Sequence, residues 1–338
     1  MQLAELPRQK ARAIVIRLAT KIAALKQDFV ICGDLPVDDR YTSAVFETDR
    51  DIARHGVTII ADEVALLEPK FQGADAYTNI SPPEPKFVIE WMQHPLNGGG
   101  GAGLPFAVCV DSREAERLES LAEVGPPGVL AEADAAYLAK QQQANRVLFM
   151  SPWTRSIDGR FSGMPMWIGF HIAALLDDAG SVLDVSVFNV DRKSEMRVAI
   201  DGLDLRTASG ALARHMTSMA LFTLSLMGCK NVTRTDATAS HGPPAKWIKQ
   251  QRAPTVRYEV LRLGSMRDTL KGEGNIDANG PSKALHICRG HFAQYDATKP
   301  LFGKYAGKFW IPSHVRGSLE HGAVVKDYNV KPKGSNGP

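Results

Sequence analysis

The sequence predicts an α+β fold: a mainly antiparallel sheet covered by several helices, with a basic, β-rich C-terminal subdomain. Three observations predict it. Short apolar runs with strand-like alternation recur along the chain, among them "KFVIEW", "LPFAVCVD", "SVLDVSVFNV" and "TVRYEVLRLG". Longer segments at helical spacing lie between them. Charge is also divided unevenly: residues 229–338 hold 18 Lys and Arg against 8 Asp and Glu, whereas the first 228 hold 22 against 29. The expected organisation is therefore an acidic α+β part over 1–228, a basic subdomain packed on it over 229–330, and a disordered tail over 331–338.

Taken in order, residues 9–27 place Ala11, Ile14, Leu18, Ile22 and Leu25 at roughly helical spacing after Pro7, predicting an amphipathic helix. Arg17 and Lys21 break its apolar run, which excludes a signal peptide core, and no stretch is long enough for a membrane span. "HGVTIIADEVALLEP" predicts a short strand and a helical turn. "PPEPKFVIEW" and "LPFAVCVD" flank "NGGGGAG" and predict a hairpin. "SREAERLESLAEV" has the signature of a short helix with Ser112 as N-cap. "EADAAYLAKQQQANRVLFM" reads as helix turning into strand at Arg146. "SVLDVSVFNV" alternates as a strand. "TASGALARHMTSMALFTLSLMG" predicts a helix over 211–226, apolar on most of its circumference and therefore buried. "CKNVTRTD" and "TVRYEVLRLG" predict strands, and two segments between and after them, "ASHGPPAKWIKQQRAP" and "MRDTLKGEGNIDANGPSK", are expected to be loosely ordered.

Several chemistries lack their signatures. The glycine run at 98–101 is followed by a strand with Pro105 rather than a helix, so it does not form a phosphate cradle. "GKYAGK" is one residue short of a Walker loop and has no following Ser or Thr. There is no HExxH and no GxSxG. Cys32, Cys109, Cys229 and Cys288 form no CxxC pair, which points to a reducing compartment, and the expectation is a cytoplasmic protein. His286, Cys288 and His291, with Cys229 or His314, have the residue types of a zinc site but not its tight pairing, so no metal and no cofactor is expected.

The densest chemistry lies between His286 and Gly317, where histidines, arginines, lysines and aromatics alternate. This stretch reads as a strand over 284–288, a loop with Arg289 and His291, a glycine hairpin over 301–307, a strand over 308–311, and a loop with His314 and Arg316. Guanidinium and ammonium groups bind phosphate, aromatics stack on bases, and imidazoles exchange protons near neutral pH. The expected nucleic-acid contacts are Arg289, Tyr295, Lys304, Lys308, Trp310 and Arg316, with Phe302, Tyr305 and Phe309 as further stacking candidates. His291 and His314 are the candidate catalytic acid and base of a metal-independent nuclease. The competing reading is a structural network, with the aromatics in a core and the cations bonded to carbonyls.

"HICRGHFAQY", "PLFG", "GKFWIPSHVRGS" and "VVKDYNV", with "KFVIEW" and "FTLSLMGCKNV" earlier, resemble segments of a group of phage and prophage proteins. The resemblance implies origin in a mobile element and brings no activity with it. The functional expectation is a protein that binds nucleic acid, RNA ahead of DNA. The alternative is an assembly factor whose basic region meets an acidic protein surface, and neither involves a membrane.

Overall fold

The computed structural model describes residues 16–25, 30–31, 39–67, 78–93, 103–114, 140–156, 164–191, 194–199, 208–251, 254–263, 284–288, 290–301, 303–311, 314–316 and 318–323. The chain divides into two compact units, one of residues 1–228 and 232–262, the other of residues 229–231 and 263–338.

The first unit is built on one large mixed sheet. Its elements in chain order are α1 (Leu18–Ala24), β1 (Val30–Ile31), α2 (Asp39–His55), β2 (Val57–Ile60), α3 (Asp62–Ala65), β3 (Lys86–Gln93), β4 (Leu104–Glu114) and β5 (Arg146–Arg155). There follow β6 (Pro165–Trp167), β7 (Phe170–Leu176), β8 (Val182–Asp191), β9 (Ser194–Ala199), α4 (Ala208–Met227), β10 (Val232–Asp236), α5 (Thr238–His241), α6 (Ala245–Gln251) and β11 (Arg257–Leu263). The strand order is β10-β11-β2-β3-β4-β5-β7-β8-β9, with β6 also on β5 and β1 on β6. From β3 to β9 every neighbour is antiparallel, as the hairpin reading of β3 and β4 anticipates. The three strands β11, β2 and β3 are parallel, so the sheet is mixed rather than uniformly antiparallel.

Helices cover both faces of this sheet. On β3, Phe87, Val88, Ile89, Glu90 and Trp91 are all fully buried, which explains why "KFVIEW" reads as a nearly continuous apolar run. Val88 lies under α1 and α2 with Ala107, Cys109, Trp153, Tyr258 and Val260. Trp91 points the other way, where His215 of α4 meets it and Phe106 edge-on, each at 6.1 Å. In α2 the buried residues Val45, Phe46, Asp49, Ile52 and Ala53 recur at helical spacing, so its inward stripe is apolar except at its centre.

Four local expectations are corrected. The first helix covers only 18–24 of the expected span among the described residues. Ser112 caps no helix: it lies in β4, paired with Leu148, and its N–H donates to the Pro85 carbonyl at 2.7 Å. Residues 238–251 are not loose, since α5 and α6 form there. The strands β10 and β11, which the charge division assigned to the basic part, belong to the large sheet of the first unit. The expected loop over 266–283 and the tail over 331–338 lie outside the described residues.

The second unit holds β12 (Ala284–Cys288), β13 (His291–Tyr295), β14 (Gly307–Ile311), β15 (His314–Arg316) and β16 (Ser318–Ala323). β12 pairs antiparallel with β15 and parallel with β16, while β13 pairs antiparallel with β14. β12, β15 and β16 form one sheet, and β13 and β14 form a second.

Candidate functional site

Two fully buried carboxylates in the first unit escaped the sequence reading. Asp49 Oδ2 accepts the Ser151 hydroxyl at 2.5 Å and the Trp153 indole N–H at 2.7 Å. Burial pushes its carboxyl from 3.8 up to about 7, against the pull of those two donors. Glu90 accepts the backbone N–H groups of Leu18 and Ala19 at 3.0 and 2.9 Å, one on each oxygen. Arg17 Nη1 lies 3.8 Å from Glu90 and the same guanidinium grips Asp62 at 2.9 Å. Burial raises the Glu90 carboxyl above its ordinary range, and Arg17 with the two amides draws it back. Tyr258 and Thr20 share a hydroxyl contact of 2.5 Å beside them. These groups hold α1 and α2 to the sheet. The signal for Asp49 is an acid in the middle of an otherwise apolar helical stripe, and for Glu90 an acid inside a doubly buried strand.

The second unit carries the residues singled out in the sequence, and its folding sorts them. It has twelve Lys and Arg against six Asp and Glu over residues 229–231 and 263–338. Phe292 packs edge-on against Trp310 at 5.0 Å, and Lys308 Nζ sits 4.1 Å above the Phe292 ring. Tyr295 meets Phe309 at 5.9 Å on the opposite face of the same ribbon, as strand alternation requires. Lys308, Phe309 and Trp310 are all buried. Lys308 and Trp310 are therefore packing residues, not an exposed phosphate clamp and stacking platform, and they do not converge with Tyr295. Lys308 also lies near the buried Cys229, whose thiol is pushed up to about 12 by burial despite the opposing ammonium.

His291 is exposed at the first position of β13 rather than in a loop. His314 and Arg316 lie in strand β15, opposite Cys288 and His286, and not in a loop either. The side chains of these last four residues, and Arg289 and Phe302 altogether, lie outside the described residues. His291 lies in the β13–β14 pair, and His314 lies in the separate sheet of β12, β15 and β16.

What remains exposed gathers at the hairpin tip between β13 and β14. Asp296 Oδ1 accepts the N–H groups of Thr298 and Lys299, both at 2.8 Å, and the Thr298 hydroxyl at 2.5 Å, closing one turn. Leu301 and Tyr305 exchange backbone bonds of 2.8 and 3.0 Å to close a second, tighter turn. Gly303 takes φ +74° there, with nothing near its Cα that a side chain would strike. The two turns expose Lys299 and Lys304 and leave Tyr295 and Tyr305 half-buried at their base. At the other edge of β14, Lys230 N–H donates to the Lys308 carbonyl at 2.9 Å. Asn231 brackets Trp310, its amide donating to the Trp310 carbonyl at 2.7 Å and its oxygen accepting the Trp310 N–H at 2.9 Å.

Among the described residues no group of three or more His, Cys, Asp or Glu is placed to hold a metal ion, and no helix is long and apolar enough to cross a membrane. No protein-family model, no curated protein and no solved structure matches this chain.

Proposed function

We propose that the second unit binds nucleic acid through the tip of the β13–β14 hairpin. The observation that supports this is the pair of lysines, Lys299 and Lys304, exposed on two hydrogen-bonded turns beside Tyr295 and Tyr305. Ammonium groups on a fixed turn meet a phosphate backbone with little ordering cost, and a tyrosine at their base offers a face for a base or sugar. His291 lies exposed on the strand that leads to the tip. Arg289 and Arg316 remain part of the proposed footprint by sequence. The ligand is a polyanion with bases, RNA ahead of DNA, and the mode is backbone binding rather than base reading.

The test is binding of the purified full chain to labelled single-stranded RNA, duplex RNA and duplex DNA, with Lys299→Ala and Lys304→Ala beside the wild type. Each variant is expected to weaken binding at low salt with an unchanged melting temperature, because an exposed lysine contributes little to folding. Full wild-type affinity in both variants overturns the proposal.

A further inference from the structure

We propose that α2 is a proton-linked element: its docking on the sheet takes up one proton at Asp49, and the helix opens locally more often as pH rises towards neutral. The placement of Asp49 carries this. It lies at the centre of the inward stripe of α2, 2% exposed, facing β4 and β5 across the helix–sheet interface. Its side-chain partners, the Ser151 hydroxyl and the Trp153 indole N–H, are both neutral donors. The Cys109 thiol donates to its backbone carbonyl at 3.9 Å, and burial keeps that thiol protonated. A carboxylate buried without a cation loses its hydration and gains no equivalent, so the group holds a proton instead.

The charged groups around Asp49 are engaged elsewhere. On α2, Arg50 lies over the Phe46 ring and Arg54 donates to the Ala23 carbonyl. Asp51 bonds Lys86 of β3 and His55. On α1, Arg17 grips Asp62 beside Glu90 of β3, and Lys21 interacts with Glu90 and with Arg155 of β5. On β4, Asp111 pairs with Arg113 at 2.7 Å. Burial pushes the Asp49 carboxyl up, and the negative charge of Asp111 adds to that push. α2 can also respond alone, because it belongs to no strand ladder and can leave the sheet without breaking one. Its polar ties to the sheet centre on Asp49, with the exposed Lys86–Asp51 pair beside it.

Amide hydrogen exchange of the full chain, resolved by segment from pH 5 to pH 9, tests this, with Asp49→Asn and Ser151→Ala alongside. The carboxyl moves from 3.8 to about 7 on docking. After correction for the base-catalysed intrinsic rate, wild-type α2 amides are therefore expected to lose protection about tenfold per pH unit up to about pH 7, and then to level off. They are also expected to be less protected than the β4–β5 ladder at each pH. Asp49→Asn cannot ionise, so its α2 protection is expected to stay constant. Ser151→Ala removes a donor that favours the ionised form, so its levelling-off is expected at higher pH than in the wild type. Wild-type α2 protection that does not change with pH overturns the proposal, as does an Asp49→Asn variant that keeps the wild-type slope or a Ser151→Ala variant that levels off where the wild type does. Protection in α2 equal to that of the β4–β5 ladder at every pH also overturns it, since the helix would then open only with the whole sheet.

Discussion

Asp49 shows how one residue can set the pH response of a fold. Its carboxyl lies in the apolar stripe of α2 and holds its proton up to about 7, against 3.8 in an exposed setting. A carboxyl with a raised folded-state value binds its proton more tightly when folded. Its favourable contribution is therefore complete below about pH 4 and is lost as pH rises to about 7, beyond which the ionised cost stays constant. The loss across that window is on the order of 4 kcal/mol, since each unit corresponds to about 1.4 kcal/mol. Asp49→Asn retains an oxygen for Ser151 and Trp153 but cannot ionise. Melting temperature measured from pH 4 to pH 9 should fall through this window in the wild type and be flatter in the variant, leaving Asn the more stable above pH 7. Parallel curves would show that Asp49 stays charged throughout. A second residue-scale expectation concerns Asn231, which satisfies both backbone groups of the buried Trp310. Asn231→Ala leaves a buried N–H and C=O without partners and should cost roughly 2–6 kcal/mol in denaturant unfolding, at about 1–3 kcal/mol per group, with Asn231→Asp also destabilising because aspartate cannot donate to the carbonyl.

Elements with a clean period were legible in the sequence, and the others show what hides a period. β3, β4, β8, β11 and α4 all form where alternation or helical spacing placed them. α2 was not anticipated, because Asp49 interrupts its apolar stripe at the centre; only the sheet beneath, with Ser151 and Trp153 as donors, makes an acid acceptable there. Ser112 carries a helix-cap signature, yet the β4–β5 ladder continues to Glu114 opposite Arg146, and long-range pairing overrides the local preference. The segment "HGPPAKWIK" looks like a breaker, but proline also opens helices: the Pro244 carbonyl accepts the N–H groups of Trp247 and Ile248 at 2.8 and 3.1 Å, starting α6. In the candidate site, the basic and aromatic composition was legible. The sorting into buried Lys308 and Trp310 against exposed His291 and Lys304 was not, since it depends on Asn231, far away in sequence. At this scale Gly180 marks a further constraint. Its φ of +74° and the Ile80 carbonyl 2.4 Å from where a Cβ would lie make Gly180→Ala destabilising, by more than 1 kcal/mol in thermal or chemical unfolding.

At the scale of the whole molecule, charge divides unevenly between the two units. The unit with the large sheet carries 28 Lys and Arg against 31 Asp and Glu; the unit with the hairpin carries twelve against six. A positive unit on a near-neutral chain concentrates polyanion attraction in one place, and its strength must depend on salt. The most direct measurement is the slope of log K against log salt concentration for an RNA oligonucleotide, on the full chain and on the Lys299→Ala/Lys304→Ala variant. The hairpin-tip account predicts a steep negative slope for the wild type. It also predicts a slope shallower by about 1.4 units in the double variant, because each phosphate contact on a single strand contributes about 0.7. Equal slopes for the two proteins, or binding that does not weaken with salt, would contradict it.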